Sequence, residues 1–325
     1  MIKLGLLLTN QYRLLSVAAI LDVFETVNRF YNADGQSAPF QISLFCGSGD
    51  KPHDNDALFN GYKLQSIQDN VKQDLVLIPS FLNEHVKGAI KENYAAIGWL
   101  KQQYEMGAGL ASFCTGAFLL GATGLLKGKL ATTHVDACQD FAFAFPDVNL
   151  QPDKTVTQDG RLYTSGGATS SFHLMLHLIQ IHCGKAVAVR AAKIFAIDMD
   201  RHNQSYFSTF QISQDHNDDL VAMAQQKIET AYHNTGTIEE MIKDIPASRR
   251  NIVRRFKQVT GITPIEYLQH TRIAAAKKLL EQTSDQMMEV IFKSGYNDPK
   301  AFRKVFRKTV GMTPSEYREK FYVGY

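Results

Sequence analysis

One segment of this chain occurs twice. Arg250-Asn-Ile-Val-Arg-Arg-Phe-Lys-Gln-Val-Thr-Gly-Ile-Thr-Pro-Ile-Glu-Tyr267 returns 50 positions later as Lys300-Ala-Phe-Arg-Lys-Val-Phe-Arg-Lys-Thr-Val-Gly-Met-Thr-Pro-Ser-Glu-Tyr317. Phe256/Phe306, Gly261/Gly311, Thr263/Thr313, Pro264/Pro314, Glu266/Glu316 and Tyr267/Tyr317 are identical pairs. Two copies are fewer than the three or so that a solenoid needs, so this is a duplicated module. Each copy reads as one helix and the start of another. Ser248 and Asp298 are N-cap types, Gly261 and Gly311 supply left-handed stops, and Thr-Pro at 263 and 313 places a cap and an N1 proline.

Within each copy an apolar stripe, Ile252, Phe256 and Val259 or Phe302, Phe306 and Val310, recurs every three to four residues and faces a core. The other face carries Arg250, Arg254 and Lys257 in the first copy, and Lys300, Arg303, Lys304, Arg307 and Lys308 in the second. Short helices predicted upstream, over 238–245 and 286–294, complete two helix-turn-helix motifs with basic second helices. A basic face on one helix is as readily a solvated surface, but duplication and charge favour phosphate binding. Residues 236–325 hold 17 Lys+Arg against 10 Asp+Glu, a net of +7, while the other 235 residues hold 18 against 22. The helix from Pro264 to about Glu281, roughly 27 Å long at 1.5 Å per residue, would hold the basic helices apart. Adjacent major grooves on one DNA face lie about 34 Å apart, so double-stranded DNA read in two adjacent grooves is the expected partner.

The first 200 residues alternate apolar runs with helical patterns. Strands are expected over Ile2–Leu8, Phe40–Phe45, Leu75–Ile78, Gly109–Phe113 and Leu162–Thr164, and helices over Val17–Phe30, Tyr94–Tyr104, Thr115–Leu126 and Ser170–Cys183. That order implies an α/β fold, a mostly parallel sheet covered on both faces, with ligands beyond the carboxyl ends of the strands. The helical pattern from Gly184 to Arg201 gives way to a polar linker over 201–216, and the tail domain spans 217–325, opening with a helix over 217–233. The first ten residues read as a buried strand, not a signal peptide, and no apolar run reaches the 18 or so residues of a membrane helix. A cytoplasmic protein with reduced thiols is expected.

Cys46, Cys114, Cys138 and Cys183 stand far apart with no finger spacing, so neither a metal nor any other cofactor is implied. His173 and His177 lie four apart on a helix but within the apolar run Phe172–Ile181, which favours packing or capping. Cys114 is the sharpest site candidate, because Ser112-Phe-Cys-Thr-Gly-Ala117 puts a thiol where a strand meets a helix N-terminus, a setting that can lower its pKa. A small buried apolar role for Cys114 is equally compatible with that geometry. His134 follows at a predicted strand end, with Asp136 two residues on to orient it.

These residues carry two resemblances. Ser248-x-Arg250-x-Ile252-x-Arg254-x-Phe256 and Gly311-Met-Thr-Pro-Ser-Glu-Tyr-Arg318 resemble the AraC/XylS family of transcription regulators over about 90 residues, with Pro246 departing from the glycine that family has in its first turn. Cys114-Thr-Gly-Ala, Gly124-Leu-Leu-Lys-Gly-Lys-Leu-Ala-Thr-Thr-His134 and Thr164-Ser-Gly-Gly-Ala-Thr-Ser170 resemble the ThiJ/PfpI branch of the class I glutamine amidotransferase-like fold, a flavodoxin-like architecture. Their fusion is the GlxA-like group of regulators. The resemblance implies a sequence-specific transcription regulator whose amino-terminal domain binds a small effector, a nitrogenous metabolite such as an amino acid or quaternary amine, and leaves homodimerisation open. Its pocket would be lined by Cys114, Thr115, His134 and Phe81, with Tyr12 and Phe172 able to hold a cation by their ring faces. Catalytic relatives place a His after the elbow cysteine and a carboxylate on the first helix; here Thr115 follows, and Asp22 or Glu25 is the carboxylate. They also have a Gly-rich turn where this chain reads Pro79-Ser-Phe-Leu82. Those departures favour a pocket that binds without turnover. The alternative is a cysteine-dependent hydrolase or hydratase using Cys114, since isonitrile hydratases of that superfamily also carry Cys-Thr at the elbow.

Overall fold

The computed structural model describes residues 1–47, 59, 61–82, 86–204, 207, 216, 218–234 and 236–323; most of the linker expected over 201–216 lies outside them. The chain divides into two compact units, Met1–Gln204 and Ser205–Tyr325.

The first unit holds strands β1 (Ile2–Leu8), β2 (Phe40–Cys46), β3 (Lys63–Ser66), β4 (Leu75–Ile78), β5 (Gly109–Ser112), β6 (Leu130–Ala131), β7 (Asn149–Leu150), β8 (Val156–Asp159) and β9 (Leu162–Ser165). Its helices are α1 (Leu14–Ala33), α2 (Val86–Glu92), α3 (Tyr94–Glu105), α4 (Gly116–Ala122), α5 (Cys138–Ala144), α6 (Ser170–Cys183) and α7 (Lys185–Ile194). The described residues form a seven-stranded sheet in the order β3-β2-β1-β4-β5-β9-β8, parallel except where β8 runs against β9, and a separate β6–β7 pair. Near-continuous apolar runs in β1 and β4 are buried on both faces, as parallel strands under two helix layers require. Helices α1, α6 and α7 cover one face, and α3, α4 and α5 the other. This is the expected flavodoxin-like α/β fold.

Three strands escape the sequence reading. β3, Lys-Leu-Gln-Ser, and β8, Val-Thr-Gln-Asp, lie at the sheet edges and have no apolar run to betray them, and β7 is two residues long; the strand expected just before His134 is β6, also only two residues. Helix α4 stops at Ala122, four residues before the expected end. There the Thr123 hydroxyl bonds back to the Leu120 carbonyl at 2.5 Å and Gly124 takes a φ of 77°. Helix α7 likewise ends at Ile194, where Ala196 at φ 52° turns the chain, well short of the Arg201 expected.

The second unit is all-helical: α8 (Asp219–Ala231), α9 (Ile238–Ile242), α10 (Arg249–Thr260), α11 (Pro264–Gln282), α12 (Met287–Lys293), α13 (Pro299–Val310) and α14 (Pro314–Phe321). The expected caps are in place. Ser248 accepts from the Asn251 amide and Asp298 from the Lys300 amide. Thr263–Glu266 and Thr313–Glu316 form reciprocal capping boxes, and Gly261 and Gly311 end their helices at φ 78° and 85°.

The duplication reaches further than the constant spacing of 50 reveals. Val221, Ala224, Ile228 and Glu229 on α8 correspond to Ile273, Ala276, Leu280 and Glu281 on the second half of α11, an offset of 52. The three apolar members of each set are buried, and each glutamate receives a phenol from its own copy, Tyr267 to Glu229 and Tyr317 to Glu281. Changes of length in the turns shift the register, and so hide α8 and the end of α11 from a search at fixed spacing. Helix α11 therefore serves both copies. Its first half packs into one core with α8, α9 and α10, and its second half into another with α12, α13 and α14.

Candidate functional site

Helices α10 and α13 each bury one face and expose the other. Ile252, Phe256 and Thr260 are buried on α10, and Phe302, Phe306 and Val310 on α13. Arg250, Arg254, Lys257, Lys300, Arg303, Lys304, Arg307 and Lys308 are all exposed. Among the described residues none of these eight forms a salt bridge, whereas neighbouring basic groups do: Arg249 with Glu239, Arg255 with Asp218 and Lys293 with Asp285. Pairing neutralises those three and leaves the two exposed faces positive. On α10 the Asn251 carboxamide receives Arg254 Nη2 at 3.1 Å. On α13, Arg303, Lys304, Arg307 and Lys308 line one side of an open groove of about 700 Å³ whose other side includes Thr313, Pro314 and Ser315. A positive concavity beside a helix whose first turns lie exposed suits a nucleic-acid backbone and the edges of its bases.

In the first unit the sheet order reverses between β1 and β4, the switch point where such folds bind ligands. Here the two loops at that point are stitched together. Arg13 N–H donates to the Ser80 carbonyl at 2.8 Å, and Tyr12 bridges Phe81. The amides of the Pro79-Ser-Phe turn are already satisfied: Ser80 N–H by the Ser16 hydroxyl at 3.1 Å, and Phe81 N–H by the Thr115 hydroxyl at 3.0 Å. The same Thr115 hydroxyl donates to the Phe81 carbonyl at 2.8 Å. An oxyanion hole needs donors aimed at the reacting oxygen, and these two are taken.

The elbow itself is strained and closed. Cys114 sits at φ 54°, a left-handed conformation unusual for a residue with a side chain. Gly116, next but one, leaves no room for a Cβ, which would lie 2.6 Å from the Pro79 carbonyl oxygen and 2.7 Å from that of Ile78. Burial pushes the Cys114 thiol upward, with hydrogen bonding from the Ala168 and Thr115 backbone opposing it. Of the two readings open for this cysteine, a thiol activated by the helix N-terminus and a small buried apolar residue, the burial of Cys114 favours the second. Thr115 and Phe81, expected to line a pocket, are buried and bonded to each other. Tyr12 and Phe172 are partly buried, packed against the core.

His134 follows β6 after two threonines and caps a short 3₁₀ turn at residues 135–137. Its Nδ1 accepts the Asp136 backbone N–H at 3.2 Å, so the amide of Asp136 orients the ring. Burial holds its pKa below the usual imidazole range, with the Asp136 carboxylate opposing. Asp22 and Glu25 do not reach the elbow. The α1 side chain that meets the site's turn is Ser16, and the two carboxylates stand six and nine residues further on, about 9 and 14 Å along the helix. Asp22 pairs instead with Arg29, Glu25 accepts from Asn28, and both act on the Tyr62 phenol, which burial and the nearby Glu25 push upward. His173 bonds the carbonyls of Thr169 and Asp198, and among the described residues no cluster of His, Cys, Asp and Glu is arranged to hold a metal. No described helix is long and apolar enough to cross a membrane.

Arg201 and Gln204, placed in the linker by the sequence pattern, bind the loops beside the elbow. Gln204, 2 % exposed, accepts Gly167 N–H at 3.0 Å and donates to Thr132 Oγ1, Thr133 O and Pro152 O at 2.9–3.2 Å. Thr133 in turn donates its hydroxyl to the Cys114 carbonyl at 3.0 Å. Arg201 donates to Thr169 Oγ1 and Ser170 Oγ, both at 2.7 Å. Gln204→Ala should strand several buried polar groups and destabilise the first unit by about 1–3 kcal/mol. Urea denaturation followed by Trp99 fluorescence checks this, because Trp99 is the only tryptophan and lies in that unit.

Comparison with known proteins follows the same division. A family profile described as DJ-1/PfpI family matches residues 59–181, and one described as helix-turn-helix domain matches residues 242–320. The HTH-type transcriptional regulator GbdR of Pseudomonas aeruginosa is 26% identical over 228 residues, which cover 69% of this chain and 61% of GbdR. CdhR of the same organism, also an HTH-type transcriptional regulator, is 28% identical over 69% of this chain and 67% of its own length. GlxA of Rhizobium meliloti, of the same description, is 24% identical over 68% of each. The match to GbdR thus spans less than two thirds of that relative.

Proposed function

We propose, for a chain that belongs to the GlxA-like group by joining a DJ-1/PfpI domain to an AraC-type helix-turn-helix domain, that it is a sequence-specific transcription regulator. Its carboxy-terminal unit binds double-stranded DNA through α10 and α13 in two adjacent major grooves. The observation that carries this reading is the pair of equivalent helices whose exposed faces hold eight basic residues, none of them in a salt bridge among the described residues. Positions near the helix starts, Arg250 and Arg254 in one copy and Lys300, Arg303 and Lys304 in the other, read base edges. Lys257, Arg307 and Lys308, further along, meet phosphates. The names of the relatives support a regulator. The test is selection of bound duplexes from a random-sequence library by the full chain. Enrichment of a defined sequence supports the reading, and recovery of unenriched DNA overturns it.

The amino-terminal unit, on this proposal, binds a small nitrogenous effector near Cys114 and His134 and does not turn it over. Support comes from the turn after β4, where the Ser80 and Phe81 amides already have internal partners, and from a buried thiol whose pKa is raised. Cys114→Ala should therefore leave effector-free DNA affinity unchanged. Turnover of amides, isonitriles or glyoxals by the wild type that Cys114→Ala abolishes would establish the enzymatic alternative instead.

A further inference from the structure

The two DNA-binding copies have separate cores that share one helix, so something must brace one copy against the other if their recognition helices are to meet adjacent grooves together. Arg272 stands at the middle of α11, where the cores meet. Its Nε donates to the Tyr232 carbonyl at 2.9 Å and its Nη2 to the Asn234 carbonyl at 2.7 Å, so the guanidinium caps the carboxyl end of α8 in the first copy. The same guanidinium lies 5.6 Å from the ring centre of Tyr296, in the turn between α12 and α13 of the second copy. Gly295, beside it, has φ 87°, and a Cβ there would lie 2.1 Å from the Tyr232 carbonyl oxygen and 2.8 Å from Arg272 Nε. The end of α8 is therefore seated directly against the turn that precedes α13. A planar fork that bonds two carbonyls while its face meets a ring is a task arginine performs and lysine cannot.

We propose that Arg272, with Gly295 as its seat, is the positioning residue that fixes α10 relative to α13 and so lets one chain read two grooves at once. The inference rests on the DNA-reading function proposed above. Arg272 is committed to protein carbonyls and touches no DNA on this account. Its loss should lower the advantage of simultaneous engagement, which depends on the geometry linking the two binding elements, without weakening either contact by itself.

The test uses the full chain and a duplex enriched from the random library by the wild type, together with two derivatives in which one or the other contacted segment is scrambled. Arg272→Ala and Arg272→Lys should each lose about tenfold or more on the intact duplex and less than about twofold on either half-scrambled one. The salt dependence of binding should stay as in the wild type, since no phosphate contact is removed. Gly295→Ala, which forces the same joint apart from the other side, should reproduce the pattern and guards against an Arg272 variant that fails to fold. Equal losses on all three duplexes, a salt slope lowered by about one, or unchanged binding to the intact duplex would each overturn the assignment. A wild type that does not distinguish the intact from the half-scrambled duplexes would instead refute two-groove reading itself.

Discussion

Phe306→Ala should remove about 3–5 kcal/mol of stability from the carboxy-terminal unit, the usual range for emptying a fully buried phenylalanine site, and Phe256→Ala should do the same. Both rings are fully buried. Each meets the tyrosine of its own copy edge-on, Phe256 with Tyr267 at 5.3 Å and Phe306 with Tyr317 at 5.7 Å. Phe306 also contacts Phe302, so its removal opens a cavity among aromatic neighbours that cannot collapse to fill it. Because Trp99 lies in the first unit, its fluorescence should report an unchanged urea midpoint while far-ultraviolet circular dichroism reports an earlier loss of helix. Coincident shifts of both probes, or a cost under about 1 kcal/mol, would show that the second unit lacks the duplicated core described for it. The loss of DNA binding should accompany the loss of helix, since α10 and α13 are anchored by these same rings.

Raising salt fourfold should weaken DNA binding by roughly 40-fold if only Lys257, Arg307 and Lys308 meet phosphates, and by roughly 2 × 10⁴-fold if all eight basic residues do. Each phosphate contact releases condensed counterions, so the slope of log affinity against log salt falls by about 0.9 per contact. Assigning three contacts to phosphates and five to bases predicts a slope near the shallow end. Lys308→Ala should lower it by about one unit and weaken selected and scrambled duplexes alike. A fragment beginning near residue 215 should retain the same slope, because every basic residue invoked lies within it. Binding that ignores salt would contradict the electrostatic reading at its root.

The sequence made the two basic helices legible because caps, stops and stripe were each written twice. Ser248, Gly261 and Thr263 with their counterparts fix helix ends by local chemistry, which requires no knowledge of tertiary contacts. The strands with long apolar runs were legible for a similar reason. What escaped was tertiary. Nothing local in Arg272 distinguishes a brace between two copies from another basic side chain on the strut, although its place midway between the halves of α11 is visible once α8 is aligned with the end of that helix. The closure of the elbow escaped because it is made by Ser16, Thr115 and Gln204, three small or polar residues drawn from segments far apart in the chain. Cys114 was recognised as an elbow residue from its strand-to-helix setting. That setting leaves open whether the thiol is activated or buried, because burial is a property of the packed core and not of the motif.

The most direct measurement of the central claim, that the duplicated faces read sequence, is a titration of wild type and Arg254→Ala on the selected duplex and on a scrambled one at several salt concentrations. Arginine grips guanine O6 and N7 bidentately. If the duplicated faces read sequence, Arg254→Ala should lose about 1–3 kcal/mol on the selected duplex, change little on the scrambled one, and leave the salt slope unaltered. Equal losses on both duplexes with a slope reduced by about one would contradict that claim, and would make Arg254 a phosphate clamp.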